Sequence, residues 1–143
     1  MVSNTSVDKL EIAQLSWESD WKKIESKINH VLNSGIRATI FEISAAIIKD
    51  TPVDTGRARG NWQASIGSGE AGTIDRFGQS EAIADVSNAA SIAVGKVYFL
   101  TNNVEYIERL EFGWSKQSPS GMVRKNLQNF DRLLAKNIKA ANN

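Results

Sequence analysis

Residues 17–50 read WESDWKKIESKINHVLNSGIRATIFEISAAIIKD. Trp17, Trp21, Ile24, Ile28, Val31, Ile36, Ile40, Ile43 and Ile47 recur mostly every three or four positions, the spacing that gathers apolar side chains onto one stripe of an α-helix. Ser16 is placed to cap the start. Pro52 disfavours helical angles at the residue before it, so the helix is expected to stop near Asp50. A segment of this length, at about 1.5 Å per residue, makes a rod of about 50 Å. A small domain cannot enclose such a rod, so part of it is expected to project or to pack on another subunit. Asn33-Ser34-Gly35 is its weak point, where a kink or break could fall.

Upstream, residues 1–15 are polar with scattered apolar positions (Val7, Leu10, Ile12, Leu15) and are expected to form a short helix or an N-terminal arm. Residues 16–143 then form a single α+β domain. Thr51 to Gly56 is a turn, Asn61 to Ile66 alternates like a strand, and the glycines of residues 67–78 suit a flexible loop. Residues 79–93 are alanine-rich, with Ile83, Val86 and Ala90 at helical spacing. Val97 to Leu100 is a short apolar strand, and Tyr106, Ile107 and Leu110 suit one or two helical turns ended by Gly113. After a polar loop at 115–121, Val123, Leu127, Phe130, Leu134 and Ile138 mark one face of a last helix. The expected architecture is therefore a long N-terminal helix, a small mainly antiparallel sheet, an inner helix and a C-terminal helix.

A chain of 143 residues is one ordinary domain, and 17 Lys+Arg against 16 Asp+Glu leaves a net charge of +1 that argues against coating nucleic acid by charge alone. With no cysteine and only His30, the chain has no thiolate or multi-histidine metal site and no cysteine nucleophile. No apolar run approaches the ~20 residues of a membrane span, and the N-terminus lacks a signal-peptide pattern, so the protein is expected to be made and used without export. Charge is uneven: residues 1–50 carry 6 basic and 7 acidic side chains, residues 51–114 carry 5 and 8, and residues 115–143 carry 6 and 1. The basic C-terminal segment could meet nucleic acid, the acidic middle of a neighbouring copy, or only solvent.

Asp54-Thr55-Gly56 matches the catalytic tripeptide of aspartic proteases, but a long helix and a proline precede it where an apolar strand should stand. Arg57 and Arg59 behind it would depress the raised carboxyl pKa that the chemistry needs. Asp54 is expected to cap a turn instead. The glycines of 67–78 match neither phosphate-loop nor dinucleotide patterns. Glu105, Glu108 and Glu111 lie roughly on one helical face, without the amides and glycine of a calcium loop, and read as salt-bridge partners of Arg57, Arg59 or Arg109. His30 reads as a packing or rim residue. Trp17 and Trp21 stand at the outer end of the long helix, where large aromatics make interface anchors unless they pack on residues 1–15.

Two segments together carry a resemblance. TPVDTGRARGNW, residues 51–62, resembles the signature PVDTG-R-R-NW of tail-completion (neck) proteins of lambda-like long-tailed bacteriophages. YIERLEFGWSKQSPSGMVR, residues 106–124, resembles that family's block Y…LE[YF]G-S-QAP-GMVR, with Ser118 and Ser120 where alanine is usual. The resemblance implies a non-enzymatic virion protein without cofactor or metal. Such a protein assembles in the host cytoplasm and works as a ring of its own copies, joining the tail tube and its terminator to the head connector.

Pro52, Asp54, Gly56, Gly60, Trp62, Gly113 and Gly121 would then be structural. Arg57 and Arg59 would pair with acids such as Glu108 and Glu111, within or between subunits. The loop from Ser115 through Lys116 to Arg124 would be a contact or lumen-facing element, open to non-specific contact with passing DNA. A tail-terminator ring subunit, and from another class a basic DNA-binding accessory protein, are the other readings the sequence leaves standing.

Overall fold

The computed structural model describes residues 5–143, with side chains at positions 9 and 11 and from 13 onward. Its elements are α1 (Thr5–Asp50), α2 (Arg57–Gly60), β1 (Gln63–Ile66), α3 (Ser80–Ser91), β2 (Tyr98–Thr101), α4 (Ile107–Glu111), α5 (Val123–Leu127) and α6 (Phe130–Ala141). The strands form a two-stranded antiparallel sheet in which Gln63 faces Thr101 and Ile66 faces Tyr98. The expected mixed architecture of a long first helix, small sheet and C-terminal helix is what the chain adopts.

The long helix starts earlier than expected. Ser16 lies inside α1, not at its cap, and residues 5–15 are its first turns rather than a separate arm. Nothing between Thr5 and Ser16 breaks a helix: no Pro or Gly occurs there. Residues 1–4 of the proposed arm, and the side chains of Val7, Leu10 and Ile12, lie outside the described residues. At 46 residues, α1 is about 70 Å long.

Its two halves live in different surroundings. Every described side chain from Ala13 to His30 is exposed, whereas Val31, Thr39, Ile43, Ser44, Ala45, Ile47 and Ile48 are buried. The core gathers Ile43, Ile47 and Ile48 of α1 with Trp62, Ala82 and Val86 of α3, and Met122. Residues 31–48 contain two charged side chains, Arg37 and Glu42, so by length and composition this stretch could cross a membrane. Here Val31, Ile43, Ala45, Ile47 and Ile48 of this stretch are buried within the folded body.

α1 runs through Asn33-Ser34-Gly35 without a break. The glycine is where α6 crosses closest: a Cβ at Gly35 would lie 2.7 Å from Ile138 Cγ1. Beside the crossing, Thr39 Oγ1 donates to Gly35 O at 2.7 Å and accepts from Asn137 Nδ2 at 3.1 Å, so the polar groups sealed between the helices satisfy each other. The residue that weakens the helix by propensity admits its main packing partner.

Two further expectations change. The last helix is two helices, α5 and α6, turning at Gln128 and Asn129. Asn126 is the reason, since its buried amide donates to Asp50 Oδ2 at 2.9 Å and to Met122 O at 2.7 Å, holding α5 against the end of α1. The glycine-containing segment 67–78 is pinned rather than free. Ile74 N donates to Asn61 Oδ1 at 2.8 Å, Gln63 Nε2 to Gly72 O at 3.0 Å, and the Arg76 guanidinium to the carbonyls of Gly60 and Trp62.

Candidate assembly interface

The two sequence blocks that carry the resemblance lie more than 40 residues apart in the chain and meet in space. At the end of α1 the last carbonyls need donors, and Arg59 supplies them: Nη2 donates to Lys49 O at 2.8 Å, and Nη2 and Nε to Thr51 O at 2.9 and 3.1 Å. Thr51 Oγ1 donates to Ile47 O at 2.7 Å and accepts from Trp62 Nε1 at 2.8 Å. Thus α1, the turn at buried Pro52 and the first strand are tied at one point.

From the second block, the Gln117 side chain accepts from Val53 N and donates to Val53 O, both at 2.9 Å, closing a ring of two hydrogen bonds. Between the blocks lies an open cleft of about 530 Å³ walled by Pro52, Arg57, Tyr106, Ser115 and Gln117, with exposed Asp54 at its edge. Asp54 does not cap the turn. Thr55 does so in its place, accepting from Arg57 N at 3.3 Å, and buried Gly56 begins α2 with φ 88. Gly60 ends α2 where the Arg76 carbonyl leaves no room for a Cβ.

Of the expected acid–base pairs one forms and the pairing of Arg57 or Arg59 with Glu108 or Glu111 does not. Arg57 takes Glu105, with contacts of 2.9 and 3.3 Å. The Arg57 hydrogen bonds hold the Glu105 carboxyl down at about 2, and Glu105 in turn raises the guanidinium. Arg59 meets backbone carbonyls and Gln79, and among the described residues no ion pair within the chain joins either arginine to Glu108 or Glu111. Glu105 wins because it precedes α4 and leans back over α2, whereas Glu111 turns the other way.

Glu111 closes the second block on itself. Its carboxylate accepts from Met122 N and Val123 N at 2.8 Å, from Arg124 N at 3.1 Å and from Arg124 Nε at 3.0 Å. Burial pushes this carboxyl up, but the three backbone donors and the guanidinium outweigh it and hold it below its ordinary value. Gly113 and Gly121, at φ 87 and 78, let the loop pass so close that a Cβ on either would collide with Pro119 O or Glu111 O respectively. The loop displays Phe112 and Trp114 to solvent, each under a guanidinium: Arg124 stands 4.6 Å from the Phe112 ring centre and Arg109 stands 4.9 Å from that of Trp114. Lys116 is exposed beside them.

Far from this hub, Trp17 and Trp21 stack on each other with ring centres 6.5 Å apart, yet remain 68% and 52% exposed. Ile24 and Ile28 continue the same exposed stripe. The positions 17, 21, 24 and 28 follow alternating steps of four and three, as in the seam of a coiled coil.

The body also carries an apolar-lined groove of about 270 Å³ between α1, β2 and α5, floored by buried core side chains. Ile40, Ile47, Trp62 and Leu100 line it, and Leu127 and Phe130 stand on its margin, 51% and 42% exposed. These last two were expected on the inner face of one continuous helix; the turn after α5 leaves them at the surface. Gln117 and the groove carry no local signal in the sequence, because Gln117 meets Val53 64 positions away and the groove gathers residues from α1, Trp62, β2 and the 123–130 segment. No protein-family model matches the chain, and neither a curated protein nor a solved structure was found to match it.

Proposed function

We propose that this protein is a structural component of the neck of a long-tailed bacteriophage, completing the tail and joining it to the head connector as a ring of identical subunits. The observation that carries the reading is the free half of α1. From Ala13 to His30 every side chain is exposed, including Trp17, Trp21, Ile24 and Ile28 on a single stripe. Exposing such a stripe to water is unfavourable by roughly 25 cal/mol for each Å² of apolar surface, and a surface of this kind is the usual mark of a binding site.

The resemblance blocks support the same reading by what their residues do. Arg59, Glu111, Gln117 and Trp62 are committed to hydrogen bonds inside the chain, building a rigid hub that presents Phe112, Trp114, Arg109 and Arg124 outward. Flat aromatic and guanidinium groups are the side chains favoured at the centres of protein interfaces.

The test is genetic and biochemical. In a phage that encodes this chain, an early stop codon in its gene should yield filled heads and separate tails of normal length, and purified chain added to that lysate should restore infectious particles. Normal particles from the stop mutant would overturn the proposal. Overlong tails would overturn it in favour of a tail terminator. Tight, steeply salt-dependent duplex binding by the isolated chain, with normal joining in the mutant, would favour the DNA-binding reading.

A further inference from the structure

We propose that β2 takes an extended peptide segment of a partner protein as a third strand, whose alternate side chains fill the apolar groove beside it. The inference goes beyond the neck reading and does not rest on it.

The backbone carries the argument. In an antiparallel ladder, residue pairs that exchange hydrogen bonds alternate with pairs that do not. Gly67 N donates to Val97 O at 2.8 Å, which in this register makes Ser65–Phe99 and Gln63–Thr101 the bonded pairs. The N–H and C=O groups of Tyr98 and Leu100 therefore point away from β1, along the outer edge of β2. Among the described residues nothing pairs with these four groups, and β2 has no strand on that side.

The two edges of the sheet differ. On β1 the outward amide of Ala64 donates to Asp85 Oδ2 at 3.1 Å, and Arg76 Nη2 stands 3.7 Å from the same oxygen. A side chain thus occupies the place a further strand would need. The residues of β2, Tyr98 to Thr101, include no proline and no charged side chain, the usual means of closing an edge.

The groove states which segment fits. Tyr98 and Leu100 lie two residues apart, so both side chains share one face of the sheet, and both line the groove. Residues paired opposite them place their own side chains on that face, about 7 Å apart, toward Ile40, Val123, Leu127 and Phe130. No charged side chain lines the groove, and its hydroxyls, Ser44 and Tyr98, already bond each other at 2.9 Å. The segment therefore carries apolar residues at alternate positions. Its main chain supplies the bonds and the groove selects its side chains. A helix cannot serve, because its own N–H and C=O groups are spent internally. A second copy pairing β2 with β2 would bring its own Leu127 and Phe130 margin against this one, so the edge suits a single strand.

The probe is the synthetic peptide acetyl-Lys-Thr-Val-Thr-Ile-Thr-Lys-amide, with versions carrying Leu or Phe in place of Val and Ile. In the chain alone, amide hydrogen exchange should be fast at Tyr98 and Leu100 and slow at Phe99, which faces Ser65. At least one peptide should bind with Kd below about 1 mM and slow the Tyr98 and Leu100 amides about tenfold or more. N-methylation of the Val and Ile amides and N-methylation of the Thr amides should differ, one abolishing binding and the other sparing it, since a strand offers β2 only one of its edges. Leu127→Gln/Phe130→Gln, at two exposed positions and with the fold checked by circular dichroism, should weaken binding about tenfold.

No binding by any of these peptides at about 1 mM, equal effects of the two methylation patterns, or unchanged affinity in the double variant would each overturn the proposal. So would Tyr98 and Leu100 amides already protected in the chain alone; protection that rises with chain concentration would give the edge to a second copy instead. The neck assignment is tested separately, by the joining of heads to tails.

Discussion

Replacing Glu111 by Gln removes one charge and almost no volume. The carboxylate serves four donors, Met122 N, Val123 N, Arg124 N and Arg124 Nε, at 2.8 to 3.1 Å. A glutamine can still present its carbonyl oxygen to Met122 N and Val123 N, but its amide then points donor to donor at Arg124. Hydrogen bonds to a charged group contribute about 1.5–3 kcal/mol each, while the Arg124 side chain is 60% exposed and its share is discounted for solvent. The expected loss is about 2 kcal/mol.

Glu111→Ala also leaves the N–H of fully buried Met122 without a partner, raising the loss to roughly 3–4 kcal/mol. For a chain of this length about 2 kcal/mol lowers Tm by roughly 6–8 °C. Because the folded carboxyl sits below its ordinary 4.5, the wild-type advantage is fully present above that pH and disappears as pH falls through the lowered value. Thermal unfolding of wild type and Glu111→Gln at pH 7 and pH 3 should therefore show a gap that shrinks on acidification. A Gln variant as stable as wild type at pH 7, or a gap unchanged at pH 3, would refute the charge-assisted cap.

Gly35→Ala should lower stability by about 1 kcal/mol, since overpacking against Ile138 at about 1–3 kcal/mol outweighs the roughly 1 kcal/mol gained in helix propensity. Hydrogen exchange should quicken in α6 first, and a higher Tm without that change would contradict the close crossing. Glu105 should titrate at about 2 by carboxyl NMR, and Arg57→Gln should return it toward 4.5; a wild-type value near 4.5 would show that the pair does not form in solution.

Local chemistry was readable along the chain. The stop of α1 at Pro52, the apolar strand near Tyr98 and the helix over 80–91 follow from rules that act within a few residues. Misreadings arose where a partner lies far away. Gly35 read as a weakness because its propensity is local, while its packing partner is Ile138. Glu111 read as a partner for Arg57 or Arg59 because opposite charge alone suggests pairs, whereas three backbone donors at the start of α5, Met122 N to Arg124 N, claim it. Residues 123–138 read as one helix because the apolar spacing continues across Asn126, whose two hydrogen bonds to the end of α1 and to Met122 set where the chain turns.

By itself the sequence determined that α1 exists and which face of it is apolar, since a period near 3.6 is a property of the chain alone. It could not say which half of that face the chain covers. The spacing from Trp17 to Ile28 and that from Ile36 to Ile47 are alike, and amphipathicity states a need for cover without naming what supplies it. Tertiary structure decided this by placing α3, α5 and α6 against the second half only, because the folded body is roughly half as long as the helix. What remains bare at Trp17 and Trp21 follows from that geometry.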